Sequence, residues 1–405
     1  MDLLDDARSL HPDLVALRRD LHRDPEVGLM LPRTQERVLD ALAGLPLEIS
    51  TGAATTSVTA VLRGTGAGAG PAAPSVLLRG DMDGLPVAEA SGEDFAARTG
   101  TMHACGHDLH TSALLGAARL LAGHRDHLAG DVVFMFQPGE EGWDGAGRML
   151  DEGVLDAAGR TPDHAYGLHV FANRTPGGQV ITRPGVFLSA SHALDVTVLG
   201  AGGHGSNPHT ARDPITAAAE MITSLQTMVT RRFDMFDPVV LTVGVLSAGT
   251  RRNVIPDTAR FEATVRSFSD ENAVRLPEVI AEVLRGVAAS HGVGVEIGFR
   301  DEYPRTVNDG DEVDFARDVT TGLFGEERFA LAPNPVSGSE DFSKVLLQVP
   351  GAFLGMGACP AGRDPQQAPM NHSPLARFDD AVLGDAAALY AGLAAARLAP
   401  AGGAR

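Results

Sequence analysis

The chain reads as an α/β protein whose mostly parallel sheet domain is interrupted by an inserted ferredoxin-like α+β domain. Three observations predict this. Short apolar runs alternate with helical stretches over most of the chain, the order expected of a parallel sheet. The middle of the chain instead alternates polar and apolar residues, the pattern of strands with one buried and one exposed face. The length, 405 residues, exceeds what one ordinary core organises, so two domains are expected.

Taken in order, the first element is an amphipathic helix carrying Leu3, Leu4, Leu10, Leu14, Val15, Leu17 and Leu21 at helical spacings. "GTGAGAGPAAP" (64 to 74) runs its glycines into prolines and reads as a solvated loop. "SVLLRGDMD" is a buried strand leading into Asp81 and Asp83. "TSALLGAARLLAG" (111 to 123) is a helix, and "DVVFMFQPGEE" a strand stopped by Pro138 just before Glu140 and Glu141. "HAYGLHV" is a short strand with His169, and "GAFLGMGA" (351 to 358) a late one. Between them, "ALDVTVLG" (193 to 200) alternates, a helical stripe follows from Pro214 to Val229, and "VVLTVGVLSAG" (239 to 249) is a strand. "ARFEATVRSF" sets Phe261, Ala263 and Val265 against Arg260, Glu262 and Arg266; "NAVRLPEVIAEVLRGVAASHG" is a helix and "VGVEIGF" (293 to 299) the last strand. The order β-α-β-β-α-β is that of a ferredoxin-like unit. It places the insert at 187 to 301, leaving 1–186 and 302–405 for the first domain.

Composition narrows the function. A net charge of −19 argues against nucleic acid, whose phosphates need a basic face. No run of 18 apolar residues suggests a membrane span. The acidic start lacks the basic and apolar regions of a signal peptide, and two cysteines cannot build a disulfide framework; both fit a reducing, cytoplasmic setting. Lys344 is the sole lysine, and neither a nucleophile elbow nor a phosphate-binding loop is present.

The sheet's strand ends carry the chemistry. "TMHACGHDLH" sets Cys105 two residues from His107; in an extended loop both point one way, which makes half a metal site. "QPGEEG" offers adjacent carboxylates after a strand, so that one can ligate while its neighbour faces a water. His169 and, in "APMNHSP", His372 complete a set of sulfur, nitrogen and oxygen donors that suits zinc or a similar transition ion. Taken singly, each residue has a plain structural explanation, and a non-catalytic metal- or amino-acid-binding protein is the rival of another class. Such a protein gives no reason for a second carboxylate beside a ligand carboxylate. Arg266, on the polar face of its strand, suits a substrate carboxylate, and Asn253 lies in the nearby "RNVIPD".

With "LHRDPEVGL", "RGDMDGLPV", "MHACGHDLHT", "FQPGEEGWDGAGRML", "GLHV", "GGHGSNPHTARDP", "RNVIPDTARFEATVRSF", "SGSEDFS" and "NHSP" in that order, the chain resembles the M20 metallopeptidase/amidohydrolase family. Within it, the resemblance is to the branch that hydrolyses N-acyl and auxin–amino acid conjugates. The resemblance implies a dinuclear metallohydrolase domain with a lid/dimerisation insert and two divalent transition-metal ions (Zn, Mn, Co or Ni). Cys105, His107, Glu141, His169 and His372 would be the ligands, Cys105 bridging; Glu140 would be the general base; Asp83 would orient a ligand histidine. The substrate would be a small N-acyl-amino acid, with a dipeptide the alternative. The inserts would pair into a homodimer, with His204 of "GGHGSNPH" stabilising the oxyanion at the neighbouring subunit's site. One departure stands early: where the family often has glutamates after "HRDPEVGL", this chain has Met30 and Leu31, a change expected to touch helix packing only. Cys359 matches no motif and reads as a buried core thiol.

Overall fold

The computed structural model describes residues 2–70 and 72–400. In chain order the elements are α1 (Leu3–Arg23), α2 (Pro32–Leu42), β1 (Leu47–Thr51), β2 (Val58–Leu62), β3 (Ser75–Asp81), α3 (His107–Gly123), β4 (Asp131–Gln137), α4 (Gly145–Asp151), β5 (His164–Phe171), β6 (Val180–Thr182) and β7 (Gly185–Leu188). Then come β8 (Ala190–Leu199), β9 (Gly203–His204), α5 (Pro214–Arg232), β10 (Val239–Ala248), β11 (Val254–Ile255), β12 (Thr258–Ser267), α6 (Asp270–His291) and β13 (Gly294–Tyr303). The chain closes with β14 (Thr306–Asn308), α7 (Gly310–Phe324), β15 (Phe329–Leu331), α8 (Ser343–Leu346), β16 (Gly351–Gly357) and α9 (Leu383–Arg397). It divides into two compact units, Met1–Phe187 with Val307–Asn334 and Asp341–Arg405, and Leu188–Thr306 with Pro335–Glu340.

The first unit is built on an eight-stranded sheet of order β1-β2-β4-β3-β5-β16-β6-β15. Its centre, β4-β3-β5-β16, is parallel, while β1, β2 and the β16–β6 pair add antiparallel ladders. Parallel strands covered on both faces lose the polar–apolar alternation and become continuously apolar. β3 and β16 show this: every residue of each is buried. α3 is buried along nearly its whole length, and it packs with α1 and α9 over the sheet. These apolar strands give way to polar turns, which gather at the carboxyl edge where open α/β sheets form their sites.

The second unit is a four-stranded antiparallel sheet of order β10-β12-β8-β13 with α5 and α6 packed together. Numbered within the unit, the strands run 2-3-1-4, the ferredoxin-like arrangement. The alternation in β12 is realised as read: Phe261, Ala263 and Val265 enter the core with Leu194, Val196 and Val198 of β8, and with Leu225 and Leu284 of the helices. The opposite face carries charge, with Asp195 held by Arg260 at 3.2 Å and Arg300 at 2.7 Å. Residues 335–340 join this unit through a bridge from Val336 to Leu188 and through Ser189 N–H, which donates to the carbonyls of Val336 and Gly338 at 3.2 and 3.0 Å. No helix among the described residues is long and apolar enough to cross a membrane.

Candidate metal centre

The centre lies in the first unit, on the turns beyond β3, β4 and β16 and near the end of β5, which carries His169. Asp81 ends β3, and its register partner Gln137 ends β4, so the two following turns start level. The β4 turn carries Glu140 and Glu141; their backbone N–H groups both donate to Asp83, at 3.0 and 3.1 Å. Asp83 Oδ1 also lies 3.3 Å from His107 Nδ1. One carboxylate thus fixes the carboxylate-bearing turn and faces the histidine, as residues that orient ligands do.

Cys105 and His107 come together by a different route from the extended loop expected. His107 is the first residue of α3, and Gly106 before it takes a left-handed φ of 86°. The chain turns sharply there, and period-two alternation does not apply. A Cβ on Gly106 would lie 2.5 Å from Val170 Cγ2, so glycine is required by space as well as by φ.

Around Cys105 the donors form overlapping groups. Cys105, His107 and His169 each place a ligand atom within 4.8 Å of the others, and so do Cys105, Glu141 and His372. Cys105 Sγ is 3.3 Å from His169 Nε2 and 3.2 Å from His372 Nε2, and His372 Nε2 is 2.9 Å from Glu141 Oε1. His107, Glu140 and Glu141 make a third such group, with Glu140 Oε2 4.0 Å from His107 Nε2. Both ring nitrogens of His107, Nδ1 of His169 and Oε1 of Glu141 are buried without an aligned hydrogen bond. Buried polar atoms are normally satisfied, so such a concentration needs a cause. Soft thiolate, imidazole and carboxylate donors around one volume fit transition ions. Burial, followed by the neighbouring His110, lowers the pKa of His169 and keeps it neutral, the form that ligates. Hydrogen bonding to Cys105 and Glu141 raises His372 to about 10.

Several supporting residues were not anticipated. His110 Nδ1 lies 2.6 Å from Asp81 Oδ1, while its Nε2 accepts from Val170 N–H at 2.7 Å, which fixes the proton on Nδ1. Arg79, wholly buried, meets Asp81 at 2.6 Å and Asp341 at 3.1 Å. Burial alone would raise the pKa of Asp81; Arg79, His107 and His110 outweigh it and hold the carboxyl well below its usual range. Asn371 donates to the carbonyls of Cys105 and Val170 at 3.2 and 3.0 Å, and accepts from Ala172 N–H at 2.9 Å, tying the Cys105 turn and the end of β5 to the loop of His372. His372 itself has a left-handed φ of 69°, a conformation that a non-glycine residue holds only when its surroundings impose it. The sequence offered a signal for each, Asn371 standing in "NHSP" and Arg79 opening "RGDMDGLPV", but not for the pairing of Arg79 with the remote Asp341.

The remaining expected residues lie in the second unit. His204 sits exposed on the short β9–β11 ladder opposite Val254, and Gly205 N–H donates to Asn253 O at 2.9 Å, so His204 and Asn253 are neighbours. Arg266 is half-buried on the polar face of β12, pairs in register with Ser191, and donates to its Oγ. Burial lowers its pKa. Cys359 is buried, and burial raises its thiol pKa.

Comparison with known proteins agrees with the geometry. The model of Peptidase family M20/M25/M40 matches residues 77–396. An IAA-amino acid hydrolase of Arabidopsis thaliana is 36% identical over 94% of this chain and 84% of its own length. An N-acetylcysteine deacetylase of Bacillus subtilis is 34% identical over 86% of this chain and 89% of its own. A thermostable carboxypeptidase of Saccharolobus solfataricus is 32% identical over 88% of this chain and 90% of its own. The crystal structure of a dinuclear metal-binding peptidase of family M20 from Bacillus subtilis superposes with a TM-score of 0.79 at 30% identity, covering 96% of this chain and 99% of that one. The donor groups that share Cys105 and the match over most of the chain lead to one conclusion: this is a metal-dependent hydrolase of amide bonds, and it belongs to Peptidase family M20/M25/M40.

Proposed function

We propose that the protein hydrolyses the amide bond joining an acyl group to the nitrogen of an amino acid. One observation carries the reading: two donor groups share Cys105, and a further carboxylate, Glu140, stands at their edge. A site built only to hold metal has no use for that carboxylate. Relatives named for IAA-amino acids and N-acetylcysteine support the acyl-amino acid class over peptides. The relative named a carboxypeptidase keeps a peptide substrate as the second reading.

Cys105, His107 and His169 would hold one ion, and Cys105, Glu141 and His372 the other. When bound, such a pair of divalent ions (Zn, Mn, Co or Ni) supplies a polarised carbonyl and a water of lowered pKa. Glu140 takes the proton of the attacking water and delivers it to the leaving nitrogen. Asp83 keeps His107 and the turn of Glu140 and Glu141 in register, through the contacts described above. Asn253 and Arg266 are assigned to the substrate's carboxylate, and His204 to the developing oxyanion. No covalent intermediate is needed. A free, unpaired cysteine as ligand fits a reducing compartment such as the cytoplasm.

The test is a hydrolysis screen of metal-reconstituted protein over N-acetyl, N-benzoyl and indole-acyl amino acids, with dipeptides alongside. Release of amino acid from the acyl series is the expected result. Turnover of dipeptides alone moves the assignment to the peptidase reading, and turnover of neither ends both.

A further inference from the structure

We propose that Trp143 forms the wall that receives the substrate's acyl group, and that it selects bulky, apolar acyl groups over acetyl. The inference rests on the acyl-amino acid reading above.

Trp143 is the only tryptophan of the chain. It stands two residues beyond Glu141, on the turn that also carries Glu140, so its backbone is within about 7 Å of that ligand's. The residue is 52% exposed, as several large apolar residues of this chain are, so exposure by itself marks no site. Yet it is not loose. Its six-membered ring lies on Gly28: a Cβ there would come within 3.2 Å of Trp143 Cε2 and 3.5 Å of Cζ2. Gly28 has a φ of 84°, so both its backbone and its lack of a side chain suit the ring above it. Gly139, on the other side of Glu140, would with a Cβ meet Leu29 Cδ2 at 2.6 Å and Trp143 Cβ at 3.1 Å. The segment 28–31 therefore packs against the turn that bears the carboxylates. Met30, where the family often carries a glutamate, is 62% exposed on that same segment. The result is a half-exposed indole braced on one face by backbone, two residues from Glu141, and a braced aromatic loses little freedom on binding.

Charge decides which half of the substrate meets it. The amino-acid half carries a carboxylate. The turn around Trp143 carries Glu140, Glu141 and Asp144, and its nearby cation, Lys344, is paired with Asp144 at 2.6 Å. With Asn253 and Arg266 assigned to the substrate's carboxylate, the acyl half is the one left for the ring, and a flat or branched hydrocarbon acyl group gains contact with it. An acetyl group is too small to cover it.

Two measurements test this. The first compares kcat/KM for N-acetyl- and N-benzoyl-glycine in the wild type, Trp143→Ala and Trp143→Phe, all metal-loaded. The benzoyl-to-acetyl preference should fall about tenfold in Trp143→Ala, the scale of one lost aromatic contact, and should largely return in Trp143→Phe. An equal loss on both substrates would reduce Trp143 to a structural support and overturn the proposal. The second uses the emission of this single tryptophan in the metal-loaded Glu140→Gln protein, where turnover is blocked. N-benzoyl-glycine should shift or quench it and N-acetyl-glycine should not; no response to saturating N-benzoyl-glycine also overturns the proposal. Failure of the wild type to hydrolyse any acyl-amino acid is a different result, and it counts against the amidohydrolase reading itself.

Discussion

Cys105 is the one side chain common to both donor groups, and its contacts to His169 and His372, at 3.3 and 3.2 Å, run in different directions. A donor so placed cannot be lost from one group alone. Cys105→Ala should therefore lower the content of both ions, with turnover, as read by elemental analysis of the purified variant; unchanged stoichiometry would return it to an ordinary buried thiol. Glu140 makes the opposite prediction. Glu140→Gln keeps size and polarity, so bound metal and fold should persist while turnover falls roughly 10²–10⁴-fold, the usual worth of a positioned general base. Near wild-type turnover at saturating metal would remove it from that role. His103, two residues before Cys105, poses a stability question instead. Both its ring nitrogens are buried without a partner, and burial lowers its pKa to about 3. In the unfolded chain a histidine takes its proton near 6.5. Between those values the unfolded state binds the extra proton, so acidification costs stability across that window. Neighbouring His22 works the other way: burial opposes its charge, but Asp108 and Glu89 raise its pKa. His103→Leu isolates the first effect. In metal-free protein, its melting temperature should fall less than that of the wild type between pH 6.5 and 4. Parallel pH profiles would show that His103 is not held neutral by burial.

At the scale of elements, what the sequence made legible was what periodicity records. The alternation in β12 located the insert's core face, and the apolar runs located β3, β4 and β16. β1 and β2 left no such record. Val58–Leu62 is buried throughout but only five residues long and broken by Thr59, so it makes no clear apolar run, and Leu47–Thr51 is a largely exposed edge. The start of α3 was misplaced for a related reason. The polar residues His107, Asp108 and His110 look like loop, yet all are buried helix, because the sheet's carboxyl edge supplies partners that local sequence cannot reveal. The donor types were readable along the chain; their convergence depends on one backbone device, the left-handed Gly106. Gly106→Ala sets a side chain against Val170 and Phe378 and forces an alanine into a left-handed φ. It should destabilise the metal-free protein by about 2–4 kcal/mol, the sum of backbone strain and overpacking, and weaken metal retention as well. Urea midpoints for wild type and variant would decide; a shift near zero would mean the turn tolerates a side chain after all.

For the whole molecule, the geometry of the insert bears on oligomeric state. β8 and β12 pair from Leu199↔Thr258 at one end to Ser191↔Arg266 at the other. At about 3.3 Å per residue, those ends are roughly 26 Å apart. The ladder that holds His204 and Asn253 continues from the first end, since Gly200 N–H donates to Asp257 O at 2.8 Å and His204 pairs with Val254. Arg266 stands at the second end. A single acyl-amino acid is far shorter than that span, so one insert cannot bring both Arg266 and His204 to the same substrate. Two copies can, if each site takes Arg266 from one chain and His204 with Asn253 from its partner. We propose a homodimer through the inserts, with His204 acting across it, because that arrangement gives all three residues a use. It predicts complementation. Homodimers of His204→Ala and of Glu140→Gln should both be nearly inactive, since losing an oxyanion donor costs about 10²–10³-fold in turnover. Mixed dimers should recover one working site in two, assembled from the intact His204 of one chain and the intact Glu140 of the other. Co-expression with two affinity tags isolates the mixed species, and specific activity near half the wild-type value is the expected reading. Mixed dimers that form but stay inactive would confine His204 to its own chain, and full activity in a protein that sediments as a monomer would end the trans arrangement altogether.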